Sequence, residues 1–121
     1  MAAGGMHRPL LILPLIAVMP AHATGGLACR TAGDRPIEVA LGFPHGFGAP
    51  LFLTRLRDDG RTVPVSAPQW WLDDSEVRLL LFRPNEHHQE LLLKARRNGH
   101  VYDGSLWRNG KRRWVRCRED G

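Results

Sequence analysis

Two Asn-Gly pairs, Asn98-Gly99 and Asn109-Gly110, interrupt alternating apolar and polar runs near the end of the chain. Such pairs signal β-hairpins with two-residue type I′ turns, whose central residues both need positive φ. The first turn then sets Ala95 against Tyr102, Leu93 against Gly104 and Leu91 against Leu106. The second sets Cys117, Val115 and Arg113 beside the same three residues. One face of this three-stranded unit is apolar except at Arg113. The other carries the rows Lys94, Asp103, Arg116 and Glu90, Trp107, Arg112, with Trp114 beside Ser105. A one-residue slip of either pairing would exchange the faces, so their separation supports both registers.

Earlier segments read the same way. Ile37, Val39, Leu41 and Phe43 share one face of IEVALGF, and Leu27 to Thr31 is a candidate first strand. In LFLTRLRDDGRTVPV the pair Asp59-Gly60 sets Leu56 against Val63 and Thr54 against Val65, with Phe52 on their core face and Arg55, Arg57 and Thr62 outward. Pro64 cannot donate to a ladder, which makes Arg61 to Val65 a short edge strand. EVRLLLF is apolar on both faces and reads as deeply buried. Residues 84–97 admit a helix from Pro84 to a Gly99 cap, but Leu91, Leu93 and Ala95 alternate inward and a strand is preferred. Trp70 and Trp71 are neighbours, so a strand there buries one and exposes the other.

The ends bound the domain. Residues 1–23 hold Arg8, an apolar run from Pro9 to Met19, and Ala21 and Ala23 around His22, the layout of a cleavable secretory signal peptide. That run is too short for a spanning helix, which needs about 20 apolar residues. Residues 24–121 then form a single small β-domain, periplasmic or secreted, with no transmembrane segment. Its two cysteines, Cys29 and Cys117, are expected to form a disulfide in an oxidising compartment, tying the first strand to the last. A minor alternative makes Gly-Leu-Ala-Cys a lipoprotein site with Cys29 acylated. The expected fold is all-β, a small antiparallel barrel or curved sheet of about seven to eight strands.

Charge is uneven along the chain. Residues 90–121 hold nine Lys or Arg against four Asp or Glu, whereas residues 24–89 hold seven against eight. The basic, tryptophan-bearing face formed by Lys94, Trp107, Arg112, Trp114 and Arg116 is therefore the candidate binding surface. Its chemistry suits an anionic envelope polymer, lipid headgroups or an acidic protein. Nucleic acid is not expected outside the cell. The bland alternative is a solvated sheet face.

Other constellations are weaker. His87 and His88, beside Glu86 and Glu90, resemble metal-ligand material, yet adjacent residues on a strand point apart, so a polar turn is the plainer reading and no metal is assigned. Asp73, Asp74 and Glu76 read as an ordinary acidic turn, no serine has a nucleophile-elbow context, and no catalytic residue or cofactor is expected. The loop at residues 42–50 presents His45 and Phe47 as contact candidates.

The layout resembles small exported proteobacterial β-proteins of unknown function. The likeness rests on Ala28-Cys29, Trp71-Leu72-Asp73-Asp74, Pro84-Asn85, Tyr102-Asp103-Gly104 and Val115-Arg116-Cys117. More loosely, the chain is similar to periplasmic C-type lysozyme inhibitors, disulfide-tied β-barrels that block the enzyme with a loop. Their Ser-Gly-Ser-x-x-Tyr pattern is absent, and Tyr102-Asp103-Gly104-Ser105 has similar residues in another order. The expectation is thus a non-enzymatic exported binding or accessory module. A second reading is a hydrolase inhibitor acting through the residue 42–50 loop, and a third is a metal-binding protein or enzyme using His87 and His88.

Overall fold

The computed structural model describes residues 25–43 and 53–120. Residues 1–23, read above as a signal peptide, and His45, Phe47 and Phe52 lie outside them. The described residues form nine strands and no helix: β1 (Gly25–Thr31), β2 (Ile37–Phe43), β3 (Leu53–Asp58), β4 (Arg61–Val63), β5 (Ser66–Leu72), β6 (Glu76–Phe82), β7 (Gln89–Asn98), β8 (Val101–Arg108) and β9 (Lys111–Asp120). They make one antiparallel sheet in the order β4-β3-β2-β1-β9-β8-β7-β6-β5.

Sequence neighbours pair throughout, except that β1 also pairs β9, and β4 and β5 lie at opposite edges. Only Pro64 and Val65 connect those edges. Two connecting residues span no more than about 11 Å between strand ends, so the edges must come round toward each other. The sheet is therefore curled into a half-barrel, open at a seam between β4 and β5. Prolines blunt both sides of this seam: Pro64 follows β4, and Pro68 lies within β5 beside a register shift between Ser66 and Gln69.

The strand count is nine rather than seven to eight. The strand holding Trp70 and Trp71 is β5, whose alternation Pro68 and the bulge interrupt, and an edge position tolerates the ladder donor that Pro68 lacks. The 84–97 segment is a turn followed by β7. Glu86 N–H donates to the Arg83 carbonyl (3.2 Å) across Pro84-Asn85, with Asn85 at φ 63°. Proline at the second position and a left-handed asparagine at the third are the requirements of a type II turn.

The Asp59-Gly60 and Asn109-Gly110 hairpins have the expected register. Leu56 faces Val63, Tyr102 faces Cys117, and all four turn residues have positive φ. The β7–β8 hairpin differs: its turn is Gly99-His100, with Asn98 opposite Val101. Only Gly99 has positive φ (66°), which is the type II′ form with glycine first. Partners move by two positions, so Leu93 faces Leu106 and Ala95 faces Gly104. A shift by two preserves the faces, and facial segregation is therefore blind to it. Gly104 is required at its new position, because a Cβ would lie 2.0 Å from the Lys94 carbonyl oxygen.

The inner face forms one apolar core that includes Leu27, Val39, Phe43, Leu56, Leu79, Leu93, Tyr102, Leu106 and Val115. Burying each such side chain stabilises the fold by about 1.5–3 kcal/mol before entropy is counted. Cys29 and Cys117, directly opposed on β1 and β9, form the disulfide within it. The Cys29 sulfur that acylation would require is thus bonded to Cys117. Trp70 points inward and meets Phe43 from β2 across the barrel (centroids 5.4 Å apart), while Trp71 is outward and half exposed. Tyr102 is buried, and its hydroxyl is satisfied by the Asp73 carbonyl (2.8 Å). β6 buries one face only: Val77, Leu79 and Leu81 are interior, and Leu80 and Phe82 lie half-buried outside.

A candidate anion-binding face

The Cys29–Cys117 pairing sets β1 beside β9, and β2 and β3 follow, so the basic strand β9 adjoins outward arginines from early in the chain. One outward row runs Arg55, Ala40, Ala28, Arg118 from β3 to β9. The next runs Arg57, Glu38, Arg30, Arg116, Asp103. Two alanine methyls among these long side chains leave a trough, an open groove of about 660 Å³ floored by Ala28 and Ala40. Arg30, Arg55, Arg57, Arg116 and Arg118 line it, with Trp114 at one end and Glu38 as its one acidic lining residue.

The charges are only partly balanced. Arg30 donates to Glu38 (2.8 Å), and Arg116 makes a two-pronged contact with Asp103 (2.6 and 3.0 Å). The Arg116 hydrogen bond and a second from Asn98 hold the Asp103 carboxyl below its usual range despite its burial. Arg55 and Arg118 make no ion pair within 4 Å among the described residues. Arg30 and Arg116 face each other directly, a like-charge pairing that costs stability unless anions sit close by. An anion in the trough would meet several guanidinium groups whose charge the fold leaves uncompensated.

The structure divides the expected face. Trp114 and Arg116 belong to the groove. Lys94, Trp107 and Arg112 are also outward, but farther along the sheet. Lys94 stands opposite Ser105, in line with Trp114, rather than opposite Asp103, because of the shifted β7–β8 turn. Arg96 takes the expected place of Lys94, and Leu92 that of Glu90. Arg112 donates to the Ser105 hydroxyl (2.9 Å). Glu90 is not on this face. The register shift between Leu81 and Phe82 turns it into the barrel end, where it is 6% exposed and pairs with Arg83 and Arg108.

Sequence reading missed Arg30, Arg55, Arg57 and Arg118 as site residues. Alternation marked Arg55 and Arg57 as outward, and the cysteine pair brings β1 to β9, which is the signal that could have assembled the groove.

The remaining candidates do not converge. His88 lies 3.8 Å from Glu90, and among the described residues no three His, Cys, Asp or Glu side chains are placed to hold a metal ion. Asp73 serves its turn. One carboxylate oxygen accepts the Ser75 N–H, the Ser75 hydroxyl and the Glu76 N–H, and the other accepts the Trp71 indole N–H (2.8 Å). These bonds, with that of the Ser75 backbone largest, hold its carboxyl well below the usual range. No protein family, curated protein or solved structure shows significant similarity to the chain.

Proposed function

We propose that the protein is an exported, non-enzymatic binding module whose outer sheet face holds an anionic component of the cell envelope or an acidic protein. The carrying observation is the groove over Ala28 and Ala40, in which five arginines converge around two small residues with one glutamate among them. Solvated surface arginines ordinarily point apart over other side chains. Here the alanines open a path down to the sheet, so that a slim acidic chain can contact guanidinium groups from three strands together. The disulfide between inner-face residues of β1 and β9 braces this part of the sheet, which lowers the ordering cost of binding.

Titration calorimetry with polyglutamate tests the proposal. Affinity is expected to fall as salt rises, because charges at an open groove are screened over about 8–10 Å at moderate ionic strength. Reversing Arg55→Glu and Arg118→Glu together is expected to weaken binding at least about tenfold, since each removes a charge-assisted contact of about 1.5–3 kcal/mol. Binding that ignores both salt and the double variant would reject the groove as the site.

A further inference from the structure

Beyond the groove, the outer face of β5 to β9 carries two rows with a different character. One runs Trp71, Arg78, Lys94, Ser105, Trp114, and the other Gln69, Leu80, Leu92, Trp107, Arg112. Together they hold three tryptophans, two leucines and three cations, and neither contains an acidic residue. Trp71 and Trp114 are 50% and 57% exposed, and with the half-buried Leu80, Leu92 and Trp107 between them they form a continuous apolar band. Four strand spacings separate them, about 19 Å.

The exposure of Trp71 is fixed by its neighbours. Its indole N–H is held by Asp73, and the Arg78 guanidinium lies 5.6 Å from its ring centroid. Leu80 and Leu92 floor a shallow cleft of about 330 Å³ between Trp71 and Lys94. Glu76, in the adjoining row, is within 3.4 Å of Arg78.

We propose that this band docks on the surface of an anionic lipid bilayer. A soluble polyanion would engage Arg78, Lys94 and Arg112 but would have no use for Leu80, Leu92 or three indoles. A bilayer interface accepts all of them: the protruding tryptophans sit at headgroup depth, lipid carbons cover the recessed leucines, and lysine and arginine meet anionic headgroups. The face is convex, so the band rather than the whole sheet touches the membrane, and the groove beside β1 stays open. Apart from Trp114, which also stands at one end of the groove, the band shares no residue with it, and the inference does not depend on that reading.

Co-sedimentation of the oxidised protein with vesicles tests it, using phosphatidylcholine alone or mixed with phosphatidylglycerol. Binding to the mixed vesicles, a blue shift of tryptophan emission, and weak binding to phosphatidylcholine alone are expected. Trp71→Ser is expected to weaken mixed-vesicle binding about tenfold, through loss of half-exposed aromatic area from the contact. Arg78→Glu with Lys94→Glu should do the same by charge. Both changes lie outside the core, and an unchanged circular dichroism spectrum verifies the fold. Arg55→Glu with Arg118→Glu, which disrupts the groove, should leave vesicle binding within about twofold. Absent binding, equal binding to both vesicle types, or indifference to either band variant overturns the proposal. So does a loss caused by the groove variant as large as that caused by the band variants, which would move the lipid contact to the groove.

Discussion

Replacing Arg108 by methionine probes how the open half-barrel keeps its end together. Arg108 ends β8 and points inward; its Nε donates to Asp58 on β3 (2.8 Å), and its terminal nitrogen donates to the Glu90 carboxylate and carbonyl on β7. β3 and β8 are separated in the sheet by β2, β1 and β9, so this contact crosses the barrel. The Arg108 and Glu90 side chains are 9% and 5% exposed, and that of Asp58 is 31%. Arg108→Met keeps the length and removes the charge, leaving Glu90 with the more exposed Arg83. Breaking a buried pair from one side costs about 3–5 kcal/mol, and the remaining Arg83 places the expected loss near the lower end. Freeing the wetter Asp58 adds about 1 kcal/mol at most.

The pH dependence supplies an independent check. Burial pushes the Glu90 carboxyl up, but hydrogen bonds and charge from Arg108 and Arg83 outweigh it and leave the group below its ordinary value of 4.5. A carboxyl depressed by folding adds stability above its unfolded pKa and loses it as pH falls through the folded one. Without Arg108, burial dominates and the group rises, so the variant loses less on acidification. Urea unfolding followed by tryptophan emission, with the disulfide intact, is the assay. At pH 7 the midpoint is expected to fall by about 2–3 M, taking a slope of roughly 1–1.5 kcal/mol/M for a domain of this size. The gap should narrow at about pH 3, below the ordinary glutamate range. A loss under about 0.5 kcal/mol, or a gap unchanged between the two pH values, would refute the argument.

Two further outcomes concern the sheet itself. Gly104→Ala should destabilise by about 3 kcal/mol or more, because its methyl meets backbone that only a shift of β7 can clear, whereas Gly110→Asn, in a turn with nothing within 4 Å, should cost under about 1 kcal/mol. Equal midpoints in denaturant for the two variants would contradict that close approach. Cys29→Ala with Cys117→Ala frees a loop closed across 88 positions and should cost about 4–5 kcal/mol on the chain-entropy model, together with a packing loss that calorimetry would register as lower unfolding enthalpy. A double variant as stable as the native protein would mean that register alone holds β1 to β9.

Particular residues show where sequence reading succeeds and where it stops. Ile37, Val39, Leu41 and Phe43 were legible as inward because period-two alternation is a direct consequence of strand geometry. Asp59-Gly60 and Asn109-Gly110 were legible because few dipeptides accept positive φ twice. Asn98-Gly99-His100 was ambiguous, since the same glycine serves as second residue of one primed turn or first of another. Glu90 was misplaced because a bulge reverses parity and leaves no local mark. The groove required knowing which strands adjoin, and for β1 and β9 the cysteines supplied that. Arg55 and Arg57, the groove arginines of β3, came from a hairpin whose neighbour, β2, is fixed only by the completed sheet.

Where polyglutamate binds decides between the groove and the rest of the surface. Amide and indole resonances of the isotopically labelled, disulfide-bonded protein can be followed by NMR during titration with polyglutamate. Shifts are expected to concentrate at Ala28, Ala40, Arg55, Arg118 and the Trp114 indole, saturate together, and collapse when salt is raised. Shifts confined to other surfaces, or none at polymer concentrations that saturate other basic proteins, would contradict the groove as the binding site.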